Sequence, residues 1–159
     1  MSDIFALFQN YVLHSALIAW LSAQVLKTLI TFLLSGKLQM ERMFGAGGMP
    51  SAHSACVCAL VIAITRKLGF GSPEFAIAFV VAAVVMYDAT GVRRAAGEHA
   101  KVLNKLVEEQ REEQRSDDVE ELPEWEDQKE LKEFLGHTPL EVLAGALLGI
   151  LVAMMMPLY

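Results

Sequence analysis

Two histidines stand at the starts of two apolar stretches. His53 closes Gly47-Gly48-Met49-Pro50-Ser51-Ala52-His53, and His137 lies in Gly136-His137-Thr138-Pro139-Leu140-Glu141. Glycine, proline and a hydroxyl residue around each are the chemistry of a helix N-terminus, where unpaired amides and the helix dipole can receive an anion. Arg93 and Arg94 follow a third apolar stretch. If the chain threads a membrane as its hydropathy suggests, these groups meet on one face, and their convergence is the case for an enzyme.

Four apolar stretches must position them. The first runs from about Tyr11 to Leu34, broken only by His14, Gln24 and Lys27, which is long enough to cross hydrocarbon with some tilt. The second, Ser51 to Thr65, is short for a span and ends at Arg66-Lys67-Leu68-Gly69, a basic last turn followed by a glycine stop. Its small residues Ser51, Ala55, Ala59 and Ala63 recur at i+4 and make a ridge for close helix packing. Ser72-Pro73-Glu74 starts the third, which continues from Phe75 to Tyr87 and leads into Asp88-Ala89-Thr90-Gly91-Val92-Arg93-Arg94. The fourth starts at Thr138-Pro139 and runs to about Leu158; its Gly145 and Gly149 form a G-x-x-x-G pair suited to internal packing or to a homo-oligomer.

The 159 residues are 54% apolar yet 20% charged, and segregation reconciles the two figures. Of the 19 acidic residues, 13 fall between Glu108 and Glu133, so the net charge of -6 belongs to one solvated insert and names no partner. The expected architecture is an all-α polytopic membrane bundle of about four transmembrane helices. It forms a single membrane domain, 1–159, with a charged extramembrane helical insert at 98–135. Within the insert, Leu103, Leu106, Val107 and Gln110 mark one side of a helix over Glu98–Arg115. A second short helix is expected over Asp127–Leu135, giving a charge-rich hairpin. With four spans, 11 of the 13 basic residues lie on the histidine-bearing side and only Arg66 and Lys67 on the other. The positive-inside rule then places the histidines at the cytoplasmic face of the cell membrane. The N-terminus lacks a basic region and a cleavage site, so it is taken as mature protein. Cys56 and Cys58 are two residues apart on a helix, face different ways, and are expected to fill core space. Nothing in the pattern suggests nucleic acid.

Pro50-Ser51-Ala52-His53 resembles the Pro-Ser-Gly-His motif of the type-2 phosphatidate phosphatase superfamily, relatives of vanadium haloperoxidases. The run from Leu135 to Gly145 resembles its closing motif, in which a histidine precedes a carboxylate by four residues. Taken together, Gly47–Ala55, Asp88–Arg94 and Gly136–Gly149 are similar to the divergent branch of that superfamily. The resemblance implies a lipid-phosphate phosphatase that needs no metal or other cofactor and works through a phosphohistidine. His137 is then the nucleophile, and His53 the general acid and later the base. Glu141 orients and stabilises the His137 imidazolium, since i to i+4 spacing puts both on one helix face. Lys27, Arg42, Arg93 or Arg94 clamp the phosphate, joined by the Ser51 hydroxyl and amides near Gly47 and Gly48, with Asp88 as a supporting group. The chain departs from the superfamily pattern in Ala52 for glycine, Met43 after Arg42, glutamate for aspartate at Glu141, and an arginine pair far upstream of His137.

Plainer roles compete at each position. Thr138-x-x-Glu141 is also a capping box, Lys27 also a snorkelling lysine, and Arg93 and Arg94 also topology signals. Two rival functions follow: a non-catalytic membrane protein that binds lipid phosphate, and a metal-dependent membrane hydrolase using His53, His137, Asp88 and Glu141.

Overall fold

The computed structural model describes residues 7–36, 48–116, 131 and 136–158. Arg42 and Gly47 of the expected phosphate clamp, and all of the expected 127–135 helix except Leu131, lie outside the described residues. The chain is all-α, with α1 Tyr11–Ser35, α2 Ala52–Leu68, α3 Pro73–Thr90, α4 Val92–Ser116 and α5 Pro139–Met155.

Each of four helices begins where a side chain can occupy an orphan amide. Asn10 accepts from the Leu13 N–H, Ser51 from Ser54, Ser72 from Phe75 and Thr138 from Glu141. Pro73 and Pro139 take first-turn positions that need no donor. At the other end of α1, Gly36 turns left-handed (φ 65°) and returns its N–H to the Phe32 carbonyl.

α2 is the central helix, packed by α1, α3 and α5. The seams are made of small residues: Ala19, Ala23, Ala52, Ala55, Ala59 and Ala153 form one buried cluster. The expected ridge Ser51, Ala55, Ala59, Ala63 is wholly buried. Against it lies α5 through Gly145 and Gly149. A Cβ on Gly145 would strike the Ser51 carbonyl oxygen, and one on Gly149 the Ala55 carbonyl oxygen. Thus the G-x-x-x-G pair serves packing inside the chain. Outside, the pattern inverts: Leu17, Leu21, Val25, Leu29, Ile77, Val80, Val84, Leu143, Leu147 and Leu151 are exposed. Small residues within and large apolar ones without suit a bundle whose solvent is lipid. α1 and α3 are apolar for at least 18 residues, whereas α2 and α5 have 17 each.

At the end away from the histidines, the Arg66 guanidinium donates to the Tyr11 hydroxyl (2.7 Å), the Met156 carbonyl (2.8 Å) and the Ala153 carbonyl. It also lies over the Tyr11 ring, which is fully buried. A cation on the last carbonyls of α5 satisfies both their lone pairs and the negative end of the helix dipole. The start of α1, the end of α2 and the end of α5 therefore share one side, as alternating threading requires.

α4 starts at Val92, six residues earlier than expected, so Arg93 and Arg94 are helical. Its sheltered face also differs: Gly97 and Ala100 are buried and Asn104 and Val107 half-buried, while Leu103 and Leu106 are exposed. Apolarity pointed to the leucines, but close approach selects the smallest side chains. Asn104 donates to the Leu131 carbonyl (2.9 Å) and accepts from the Leu131 N–H (3.0 Å), so the insert returns beside α4 at that point.

Gly149→Ala should push α5 off α2 and lower stability by about 2 kcal/mol, the usual scale of overpacking. Leu147→Ala, on the lipid-facing side, should be far milder. Reversible unfolding in mixed micelles compares them; equal losses would mean that the α2–α5 contact is not what holds the bundle.

Candidate active site

The two histidines are neighbours. Their ring centroids stand 6.2 Å apart in an edge-to-face arrangement at 74°. His53 enters on the first turn of α2, just after the Ser51 cap, and is exposed. His137 precedes α5, and only 5% of it is exposed. Two backbone bonds join the pieces: His137 N–H to the Ala89 carbonyl (2.9 Å) at the end of α3, and Ser51 N–H to the Glu141 carbonyl (3.0 Å). Gly136 makes the approach possible. It is left-handed (φ 84°), and a Cβ there would lie 2.6 Å from the Arg94 Cα and 2.7 Å from the Arg93 carbonyl carbon. The Gly136–Thr138 turn is thereby pressed against the start of α4.

Lys27 projects from α1 into this end of the bundle and is 2% exposed. Its stem passes Gly48, where an added Cβ would come within 3.1 Å of the Lys27 Cδ. Gly48 is also left-handed (φ 87°), so glycine there serves both backbone and lysine. Arg93 is held by Asp88, Nε to Oδ2 at 2.6 Å. Asp88 thus fixes Arg93 at the start of α4. Arg94 contributes its backbone to the Gly136 contact, and its exposed side chain makes no hydrogen bond or ion pair among the described residues. The Ser51 hydroxyl is fully buried and accepts from the Ser54 amide (3.3 Å) and hydroxyl (3.0 Å), so it builds the helix start beneath His53.

Glu141 behaves differently from the helix-face expectation. Thr138 is the N-cap, with an extended backbone (ψ 155°), so His137 lies outside the helix and the two do not share a helix face. The Glu141 carboxylate instead accepts from the Thr138 N–H (2.9 Å) in a complete capping box. No hydrogen bond joins it to the His137 ring among the described residues. It reaches His137 through space. Burial holds the His137 imidazole below the ordinary range; the Glu141 charge pulls it back up, and His53, Lys27 and Arg93 push it further down. A ring kept neutral is one whose nitrogen lone pair is available for attack.

Three residues have roles that their sequence context did not reveal. Arg66 registered only as part of a basic last turn and Tyr11 as the start of an apolar stretch; the packed bundle brings them together at the far end. Gln24 registered merely as an interruption of the first apolar stretch, yet it is buried one turn from Lys27. Among the described residues, no three His, Cys, Asp or Glu side chains gather as a metal-ligand set.

The sequence that folds this way has a counterpart among known families. The profile of the Divergent PAP2 family matches residues 8–152, and the chain belongs to that family, a phosphatase-related group of membrane proteins. A relative in Bacillus subtilis (strain 168), "Uncharacterized membrane protein YuiD", is 45% identical over 151 residues, which cover 94% of this chain and 96% of that protein. No solved structure matches.

Histidine NMR titration in micelles should place the His137 pKa below the free-imidazole value of about 6.5. Glu141→Gln removes the one charge that raises it, so the midpoint should fall further. An upward move, or none, would show that Glu141 does not act on the ring.

Proposed function

We propose that the chain hydrolyses a phosphate ester carried by a membrane lipid, with His137 as nucleophile and a phosphohistidine as intermediate. The observation that carries this is the 6.2 Å pairing of His53 and His137 at two helix N-termini, with Lys27 and Arg93 close enough for their charges to act on His137. His137 attacks phosphorus while His53 donates a proton to the leaving alkoxide; His53 then takes a proton from water as the phosphohistidine is hydrolysed. Lys27, Arg93 and the amides beside Gly48 stabilise charge on the non-bridging oxygens, and Glu141 stabilises the imidazolium form of His137. Phosphoryl transfer depends mainly on such placement and charge compensation. This scheme assigns no step to a metal.

The substrate class follows from the surroundings. A cationic pocket at the end of a bundle sheathed in leucine and valine favours a phosphate whose tail remains in lipid. Phosphatidate, phosphatidylglycerophosphate and polyprenyl phosphates or diphosphates all have that form. The excess of basic residues on the histidine side favours a cytoplasmic site. One observation favours a second proposal, a lipid-phosphate binder without turnover: the Glu141 carboxylate is engaged in its capping box and Arg93 in its pair with Asp88.

Phosphate release from these lipids, in detergent with excess EDTA, tests both. Wild type should turn over and be inhibited by orthovanadate. His137→Ala should fall to background, His53→Ala by about 10²–10⁴-fold, and Arg93→Ala by about 10²-fold. Binding without release would select the binder, and full activity in His137→Ala would remove the nucleophile. For orientation, cysteines placed at Glu112 and Gly71 should label from opposite sides of intact cells. Glu112→Cys should react only after the membrane is opened; the reverse pattern would invert the topology.

A further inference from the structure

Gln24 is the group in this bundle that the scheme above leaves without a task. It lies on α1 in the middle of an apolar helix and is 7% exposed. Its Oε1 is sealed from solvent with no hydrogen-bond partner among the described residues. Buried amides are ordinarily satisfied, and an orphan acceptor calls for a reason.

Its neighbourhood supplies one. Gln24 precedes Lys27 by three residues, so the two side chains adjoin on one face of α1. Lys27 is the cation that runs past Gly48 toward the histidines. Ala23, just before Gln24, and Ala52, just before His53, belong to the same buried cluster. The glutamine lies one helical turn from Lys27, on the side away from the end of α1.

Resting on the phosphohistidine reading above, we propose that Gln24 positions the water that hydrolyses the phosphoenzyme. Its Oε1 accepts a hydrogen bond from that water while Lys27 and Arg93 hold the phosphoryl oxygens. The water oxygen forms the new P–O bond as the P–N bond to His137 breaks. That bond's electron pair returns to the imidazole, the water's second proton passes to His53, and inorganic phosphate leaves. An amide suits the task because it orients water without competing for the proton that His53 must take. The first step, with the lipid alkoxide as leaving group, does not use Gln24. Its loss should therefore separate the two half-reactions.

The test uses the full chain in micelles with radiolabelled phosphatidate, for wild type, Gln24→Met and Gln24→Leu. A glutamine that merely fills space should tolerate methionine with full activity, because an apolar replacement removes an unpaired buried acceptor. A water-positioning glutamine predicts instead that kcat falls at least about tenfold. Alkali-stable labelled enzyme should then rise above the wild-type level, with an unfolding midpoint no lower than wild type. Retained kcat in either variant, or a fall without extra labelled enzyme, overturns the role of Gln24 and leaves the phosphatase reading standing. A lowered midpoint in both variants also counts against it, as the mark of a structural residue. Absence of phosphate release from wild type is a separate result: it removes the phosphatase reading and this inference with it.

Discussion

The structure depends on how closely two backbones approach. α5 has no side chain at Gly145 or Gly149, so its main chain rests on the carbonyls of Ser51 and Ala55 in α2. In lipid there is little hydrophobic gain from helix association, and close van der Waals contact between small residues takes its place. That contact sets the registry of the two helices. Their N-termini then lie side by side, because the Ser51 amide is bonded to the Glu141 carbonyl. The histidine pairing follows from this registry: each ring sits within a few residues of a cap that the same contact has fixed.

The histidine cluster is correspondingly a product of helix ends. His53 is carried by the first turn of α2, and His137 by a turn that α3 receives through Ala89 and α4 through its contact with Gly136. Four of the five helices thus meet there, while the fifth, α1, adds Lys27. No single helix carries the cluster, and the N-terminus of α2 gives it a positive bias before any cation is counted. Burial of His137 works in the same direction as its cationic neighbours, favouring the uncharged ring.

Much of this was legible from residue types alone. The helix starts at Ser51, Ser72 and Thr138, the alanine ridge of α2 and the glycine pair of α5 are local signals, and the structure uses each as its chemistry suggests. Alternating threading then brings His53 and His137 to one end. What remained illegible depends on details smaller than a helix turn. Glu141 was expected on a shared helix face with His137, but the chain enters α5 only after Thr138, so the carboxylate closes a cap. The pairing of Asp88 with Arg93 requires α4 to begin directly after α3. The inner side of α4 follows Gly97 and Ala100, because space decided it rather than apolarity. Gln24 had no pattern to reveal it; only burial without a partner marks it out.

The fastening at the opposite end has a mechanical consequence. Arg66 joins the side chain of Tyr11 to the last carbonyls of α5, so three helices are clasped at the end opposite the histidines. The bundle is therefore fastened at both ends by different means: a guanidinium on side chain and carbonyls at one, backbone bonds between helix starts at the other.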